Sequence, residues 1–494
     1  MYLSKSQYVK YLQCPKLLWM TQKKKDQKTP VDAATQARFD EGHVVGDLAK
    51  QLFPGGKEVV FNSKDYIGMV NTTKELIDSG CTTIYEATFK VDNVFVRADI
   101  LYKSDNGWEL YEVKSSTSVK DYHRNDLAIQ MHVLNKAGLK LSRACIVHMD
   151  NSYIREVNLE IDKLFTIADI TESTLELQNS IPEVLKEAEA VLNGGELDIL
   201  IGTHCKKPHK CDYFDYCWKD VPENSVLELY KINKPKSFEL YHNGFITFTD
   251  LPTEMKLTPI QKLQVDAYLN DESIINRATI NEFLKNTVEP ISYFDFETFQ
   301  DAIPRFEGQK PYQQIPFQYS LHIQKKGSVE HKEFLGNENE DPRRKLAEQM
   351  LVDVPPSGSI VAFSMGFEKR VIKELADQFP DLAEGLLEFN ERFVDLVVPF
   401  RKGGYYNRKM KGSFSLKSVL PALFPDDPEL SYKGLTIQDG GAASSIFANL
   451  HSVNNPSEVA QIRDDLLAYC KLDTLAMVKI VGLLRGVVSA QFFI

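Results

Sequence analysis

The seven cysteines of this chain are unevenly placed, and their placement constrains the fold more than any other feature. Cys205, Cys211 and Cys217 stand six residues apart, twice over, in "HCKKPHKCDYFDYC". Cys14 stands alone near the start, in "YLQCPKLLWM", where Pro15 is set to open a helix. Cys81, Cys145 and Cys470 are scattered among apolar neighbours and read as small core residues. The opening "MYLSKSQYVKYLQ" has no long apolar run and so does not read as a secretion signal. The expected compartment is the cytoplasm, where structural disulfides are rare and clustered thiols point to metal or redox chemistry. A soft metal site usually takes four thiolates. Zinc sites use tight pairs such as C-x-x-C. The wider spacing here, with one distant partner, suits an iron–sulfur cubane (4Fe-4S), and zinc is the alternative. Cys14 and the 205–217 cluster would then clasp the two ends of one domain.

The chain has 494 residues, enough for two or three domains. With 43% hydrophobic and 26% charged residues it reads as a folded chain, not a disordered one. No segment approaches the roughly 20 apolar residues that cross a bilayer, so no membrane partner is expected. The formal charge is −11, whereas a nucleic-acid-coating chain is expected to be basic. Two features offset that objection. Sites for divalent metals are themselves acidic. Local basic stretches also exist: "KKKD" at Lys23–Lys25, and "RKGGYYNRKMKGSFSLK" from Arg401 to Lys417, with six basic residues and no acid. Its interleaved Tyr405, Tyr406 and Phe414 suit a single strand by phosphate pairing and base stacking. The same stretch also reads as a mobile solvated loop.

Between the cysteine ends lies "NVFVRADILYKSDNGWELYEVKSST". Two β-rich runs flank Ser104-Asp105-Asn106-Gly107, and Asn-Gly is a hairpin signal. A turn closed at 104–107 sets Asp99 opposite Glu112; one closed at 106–107 sets it opposite Lys114. Either register gathers Asp99, Glu112 and Lys114, since Glu112 and Lys114 share a strand face. A carboxylate in an apolar run is costly alone, and a divalent metal would compensate it. Lys114 beside that metal would orient or deprotonate the attacking water, or offset charge developing on phosphate. Downstream, "RNDLAIQMHVLNKAG" reads as a helix carrying Gln130, placed to support the site or touch the strand. Upstream, "FDEGHVVGDLAKQLFP" reads as a helix with His43 near its start. Glu86 in "IYEATF" is a further candidate on a preceding strand.

Asp99, then Glu112-Val113-Lys114, then Gln130, enclosed by Cys14 and Cys205/Cys211/Cys217, resembles the RecB-type branch of the PD-(D/E)XK nucleases. The nearest likeness is to the iron–sulfur members of CRISPR adaptation and of AddB-type recombination. The resemblance covers roughly residues 1–220. It implies a restriction-endonuclease-like domain whose cluster is structural. Two departures stand out: Leu134 replaces the usual aromatic after the glutamine motif, and the cysteine spacing is looser than in some relatives.

Residues 221–285 read as a connecting segment. "ISYFDFETF" follows, and strand alternation places Asp295 and Glu297 on one face, able to share or bridge divalent ions. "SIVAFSMGFEKRVIKELADQFP" reads as strand, turn and helix with Glu368 at the helix start. In the amphipathic "IRDDLLAYCKLDTLAMVKIVGLL", Tyr469 and Asp473 are four apart and share a face. This ordered set resembles the DnaQ-like DEDD exonucleases, of RNase H-like fold, over roughly residues 286–494. Asp295 and Glu297 match the first motif, Glu368 stands at the second, and Tyr469 with Asp473 match the Y-x-x-x-D third motif. The second motif normally has Asp, so Glu368 is a departure, with Asp395 in "FVDLVVPF" as the reserve. The resemblance implies two metal ions, Mg²⁺ or Mn²⁺, that activate water, with the tyrosine helping to place it.

The whole order also resembles a bacterial family of fused proteins of unassigned function. The expectation is an α/β chain with two nuclease domains acting on nucleic acid, with DNA (single strands above all) favoured over RNA, in repair, recombination or phage defence. The alternatives are a nuclease acting on RNA and a catalytically degenerate nucleic-acid-binding scaffold.

Overall fold

The computed structural model describes residues 2–489. The chain is mixed α/β and divides into two compact units, Met1–Asp220 with Asp301–Gln313, and Val221–Gln300 with Gln314–Ile494.

The first unit opens with two helices, α1 (Lys5–Gln13) and α2 (Pro15–Lys23). Ser4 caps α1: its Oγ accepts from the Gln7 N–H at 3.3 Å, and Gln7 Oε1 accepts from the Ser4 N–H at 2.8 Å. Pro15 occupies the first turn of α2, where a missing N–H costs nothing. Helix α3 (Ala33–Ala49) is capped by Asp32, whose Oδ1 accepts from the Thr35 N–H at 2.7 Å. His43 therefore lies past the middle of its helix, not near its start.

The sheet of this unit is built on β1 (Thr83–Val91), β2 (Val94–Ser104), β3 (Gly107–Lys114), β4 (Leu141–Met149) and β5 (Phe165–Asp169), paired in that order. Short strands at Lys57–Glu58 and Leu3–Ser4 join β1 and β2 in parallel. β3 and β4 are parallel and are connected through helix α4 (Asp121–Lys136). Two apolar cores follow from strand alternation. Leu127, Ile129, Val133 and Leu134 of α4 pack with Ile84, Val96 and Leu110 of the sheet. Val45 and Ala49 of α3 pack with Ile100, Tyr111 and Cys145. Leu134 and Cys145 are thus core residues.

The second unit is built on β6 (Ile291–Phe299), β7 (Ile315–Lys325), β8 (Ser328–Leu335), β9 (Ile360–Ala362) and β10 (Phe393–Asp395), in the order β8-β7-β6-β9-β10. β6, β7 and β8 pair antiparallel, while β9 and β10 are parallel to β6 and to each other. Its helices include α5 (Gly366–Gln378), α6 (Leu416–Leu423), α7 (Gly440–Leu450) and α8 (Pro456–Ser489). Phe294 and Phe296 pack with Val371, Ile372 and Leu375 of α5. Ile291 and Tyr293 point the other way and pack with Leu472, Ala476 and Ile480 of α8. Asp295 and Glu297 continue that second row.

Two expectations need correction. Residues 221–285 are part of the second unit, with Leu229, Ile232, Phe248 and Val265 forming a core of their own and Ile280 and Phe283 entering the main one. The aromatics of the Arg401–Lys417 stretch are not a stacking surface. Tyr406 and Phe414 are buried, and Tyr405 pairs with Ile275 in a two-stranded sheet. Apolar burial claims Tyr406 and Phe414, and Tyr405 packs half-buried against the same core. Among the described residues no helix is long and apolar enough to cross a membrane.

In the second unit a buried histidine, His322, and a half-buried one, His331, contribute stability that acid removes. His322 Nδ1 lies 2.8 Å from Thr474 Oγ1, and His331 Nε2 lies 3.0 Å from Ser320 Oγ, with the rings 4.4 Å apart. Burial pushes both down to about 4, helped for His322 by His331 and for both by Lys471. Glu333, 3.8 Å from His331, does not reverse this. Below the unfolded value of about 6.5 the unfolded chain binds protons that the folded one refuses. The contribution of this pair should therefore be lost from about pH 6.5 toward pH 4, against the opposite trend of the unit's raised carboxyl groups, so the melting temperature of His322→Asn should gain on that of wild type across this window.

Candidate functional site

The β2–β3 pairing sets Ser104 opposite Gly107 and Ile100 opposite Tyr111. The next pair along is Asp99 with Glu112, so the first of the two registers is the one that forms. Asp99 Oδ2 accepts from the Val113 N–H at 2.7 Å. Glu112 is buried and fully engaged. Its Oε1 lies 2.6 Å from Lys114 Nζ and 2.7 Å from Lys5 Nζ, and its Oε2 accepts from Gln130 Nε2 at 2.7 Å. Lys114 also reaches Asp126 Oδ2 at 2.6 Å, and Lys5 lies 3.5 Å from Asp126 Oδ1.

The fields follow from this geometry. Burial, then Glu112, pushes Asp99 up to about 7, against the pull of Lys5 and Lys114. Burial alone would raise Glu112 too, but the two ammonium groups hold it well below the usual carboxylate range. Burial pulls Lys114 and Lys5 down, yet their carboxylate neighbours drive both above the ordinary lysine value. Burial and Lys114 push His123 down to about 4, so it is neutral there.

Glu86 sits on β1 between Tyr85, paired with Ile100, and Ala87, paired with Ala98, which puts it level with Asp99. Its φ of 57° is a left-handed conformation that glutamate rarely adopts. It pairs with Arg97 at 3.0 Å, and burial raises its carboxyl. The structure thus gathers Asp99, Glu112, Lys114, Gln130 and Glu86. It does not bring in His43, which is exposed on α3. Lys5 and Asp126 were not foreseen. Asp126 was findable, four residues before Gln130 on one helix face. Lys5 was not, being 107 residues from Glu112.

The four cysteines line a single cavity together with Leu17 and Met20. Two N–H groups at the start of α2 point at Cys14. The Gly202 N–H reaches Cys205 Sγ and the Tyr213 N–H reaches Cys211 Sγ, both at 3.4 Å. Burial pushes Cys211 up to about 12, with Cys217, Cys14 and Cys205 adding to it. Gln13 fixes the loop from outside, donating to the carbonyls of His204 and His209 at 2.8 and 2.9 Å. Lys10 pairs with Asp212 at 2.8 Å. Residues 10–20 and 204–217 are thereby joined.

The second unit collects Asp295, Glu297, Glu368, Tyr469 and Asp473. Among the described residues, the one group of three donors within 4.8 Å of one another is Asp295, Glu297 and Cys470. Cys470 is fully buried, and its Sγ lies 4.0 Å from Asp295 Oδ2. The sequence reading made it a core residue; it is also a wall of this site. Asp473 accepts from Tyr432, which was unforeseen, and from Tyr469. Burial, then Asp473, Glu297 and Glu368, raises Asp295 well above the carboxylate range. Burial and Asp473 push Glu297 up to about 8; burial and Asp395 do the same to Glu368. Burial takes Asp473 to about 6. Glu368 Oε2 is buried with no hydrogen-bond partner. Asp395, the reserve, spends Oδ1 on the N–H groups of Ser364 and Val397. Among the described residues, no Lys or Arg pairs with Asp295, Glu297, Glu368 or Asp473.

Comparison with known proteins adds the following. A family model described as a domain of unknown function, DUF2779, matches residues 292–415. That span holds Asp295, Glu297 and Glu368 and stops short of Tyr469. An uncharacterized protein of Mycoplasma genitalium is 26% identical over 215 residues, 40% of this chain and 32% of the relative. One of Ureaplasma parvum is 26% identical over 233 residues, 43% of this chain and 34% of the relative. One of Mycoplasma pneumoniae is 23% identical over 303 residues, 54% of this chain and 43% of the relative. The chain thus spans less than half the length of each of these relatives.

The two carboxylate sites should answer oppositely to loss of one acid. Glu112→Ala strips Lys5 and Lys114 of their shared partner and should destabilise the first unit by about 3 kcal/mol, read by chemical denaturation. Asp295→Asn removes an acid that burial and its neighbours force to take up a proton on folding, and should raise the melting temperature of the second unit in chelator.

Proposed function

We propose that this chain is a metal-dependent nuclease with two catalytic sites, acting on DNA and on single strands above all. The first unit is read as a RecB-like PD-(D/E)XK domain with an iron–sulfur clasp, the second as a DnaQ-like exonuclease domain of RNase H-like fold. The observation that carries the reading is the second site. Four carboxylates converge there with no Lys or Arg in an ion pair with them among the described residues, an arrangement that a divalent ion relieves. The unpartnered, buried Glu368 Oε2 fits such a donor set. Asp295, Glu297, Glu368 and Asp473 would hold Mg²⁺ or Mn²⁺. The metal supplies a polarised water and charge neutralisation at phosphate. Tyr469 and Tyr432 keep their protons, because burial and Asp473 raise both phenols, so each remains a donor that fixes Asp473.

The first site works differently. Asp99 and Glu112 would hold one metal, and Gln130 Oε1, buried and unpartnered, fits beside them. Lys5 and Lys114 neutralise these acids as the site stands. Lys114 would offset charge on a phosphate oxygen there.

The cysteine cavity supports the cluster reading over a single zinc. Four thiolates on one tetrahedral zinc would stand about 3.8 Å apart, given zinc–sulfur bonds of about 2.3 Å. Among the described residues the cysteine sulfurs form no group of three within 4.8 Å.

The test uses anaerobically purified protein, Mn²⁺ and single-stranded DNA labelled separately at each end. Wild type should shorten the strand. Asp295→Ala should abolish removal of nucleotides from the 3′ end, and Lys114→Ala the remaining cleavage. If neither variant differs from wild type, the proposal fails. Metal analysis of the same protein should give iron and sulfide that Cys14→Ser loses; one zinc per chain and no iron would overturn the cluster.

A further inference from the structure

Lys417 is the last residue of the basic Arg401–Lys417 stretch, and the described structure gives it a position that charge runs on a solvated surface do not have. Its side chain is exposed and lies over two aromatic faces at once, 5.1 Å from the Tyr469 ring centroid and 5.4 Å from that of Tyr432. Those rings belong to the two phenols that bond Asp473. Lys417 Nζ donates one hydrogen bond, to the Gln438 carbonyl at 2.9 Å. Two residues further on, the backbone at Gly440 passes so close to the acids that a Cβ there would stand 3.5 Å from Glu297 Oε2 and 3.9 Å from the Tyr469 hydroxyl. Lys417 is thus tied, through its rings and through the 438–440 backbone, to the rim of the carboxylate site.

The ammonium is near the acids but not on them. Its field lowers Asp295, Glu297 and Asp473, yet among the described residues it forms no ion pair within 4.0 Å. An ammonium has three donors, and only one is used here. The rings hold the cation by their negative faces while leaving its remaining N–H groups free. A cation set back from three acids, with donors to spare, leaves room for an anion between them.

We propose that Lys417 is a catalytic residue of the second site that contacts the scissile phosphate. The inference rests on the nuclease reading of that site. In the reaction a water oxygen forms a new bond to phosphorus while the bond to the 3′ oxygen of the penultimate nucleotide breaks. That oxygen takes up a proton and becomes the new 3′ hydroxyl. The water's lost proton passes to solvent, and the terminal nucleotide departs as a 5′-monophosphate. Negative charge grows on the phosphoryl oxygens in the transition state, and a fixed ammonium at the rim offsets it from the side the carboxylates cannot.

The test compares Lys417→Gln, Lys417→Arg and Asp295→Ala in the full chain. Two readouts are used: removal of 3′ nucleotides from single-stranded DNA in Mn²⁺, and calorimetric binding of thymidine 5′-monophosphate in Mn²⁺. Lys417→Gln should lower kcat by roughly 10²-fold with little change in KM and an unchanged melting temperature. It should weaken the mononucleotide about tenfold, and Lys417→Arg should restore most of both losses. A Lys417→Gln protein within about twofold of wild type in rate and mononucleotide affinity overturns the inference. If Asp295→Ala leaves 3′ shortening intact, the nuclease reading of this site falls separately. Mononucleotide binding then decides alone: weakened by Lys417→Gln it supports the phosphate contact, and unchanged or absent it overturns it.

Discussion

Four carboxylates share a small, largely dry space in the second unit, and among the described residues no Lys or Arg forms an ion pair with any of them. Like charges in low dielectric cannot all ionise at neutral pH, and burial raises all four. Burial, then Asp473, Glu297 and Glu368, holds Asp295 well above the carboxylate range. The surrounding fold is arranged to hold this unfavourable group in place. β6 sends Asp295 and Glu297 toward α8, the start of α5 brings Glu368, and α8 returns Asp473. Apolar contacts beneath them, from Tyr293 to Leu472 and Ala476, supply the stability that the acids remove. A site that costs this much in the absence of a ligand is what a metal-dependent function would require.

The first unit solves the same problem the other way. Glu112 is as buried as any acid of the second site, but Lys114 and Lys5 bond it directly and Gln130 takes its other oxygen. The consequence is a closed, self-neutralised network that a metal must open. Lys5 comes from α1, which leads through Cys14 into α2, so the helix that seals the acids also begins the cysteine clasp. If the four cysteines hold a metal centre as proposed, its loss would loosen the lysine that faces Glu112.

Much of this was legible in the sequence because it rests on local periodicity. Strand alternation placed Asp295 with Glu297 and Glu112 with Lys114, and helical spacing placed Tyr469 with Asp473. Asn106-Gly107 marked the hairpin, but the sequence left two registers open, and only the pairing of Ser104 with Gly107 chose between them. What could not be read arrives through tertiary packing. Lys5 and Tyr432 come from distant segments with no periodic mark. The basic stretch misled because its aromatics had two uses: Tyr406 and Phe414 went to the core, and only Lys417, at its end, reached the site. His43 fell on the exposed side of α3, where Val45 and Ala49 show which face is buried.

The central claim is that the acids of the second unit are built for divalent cations. The direct measurement is the melting temperature of the full chain titrated with Mn²⁺ after chelation, for wild type and for an Asp295→Asn/Glu297→Gln variant. A ligand that binds only the folded state raises stability by about 2.7 kcal/mol at a hundredfold excess over Kd. The account predicts a saturable rise in the melting of the second unit for wild type and none for the variant. An unchanged melt up to millimolar Mn²⁺, or an equal rise in both proteins, would contradict it.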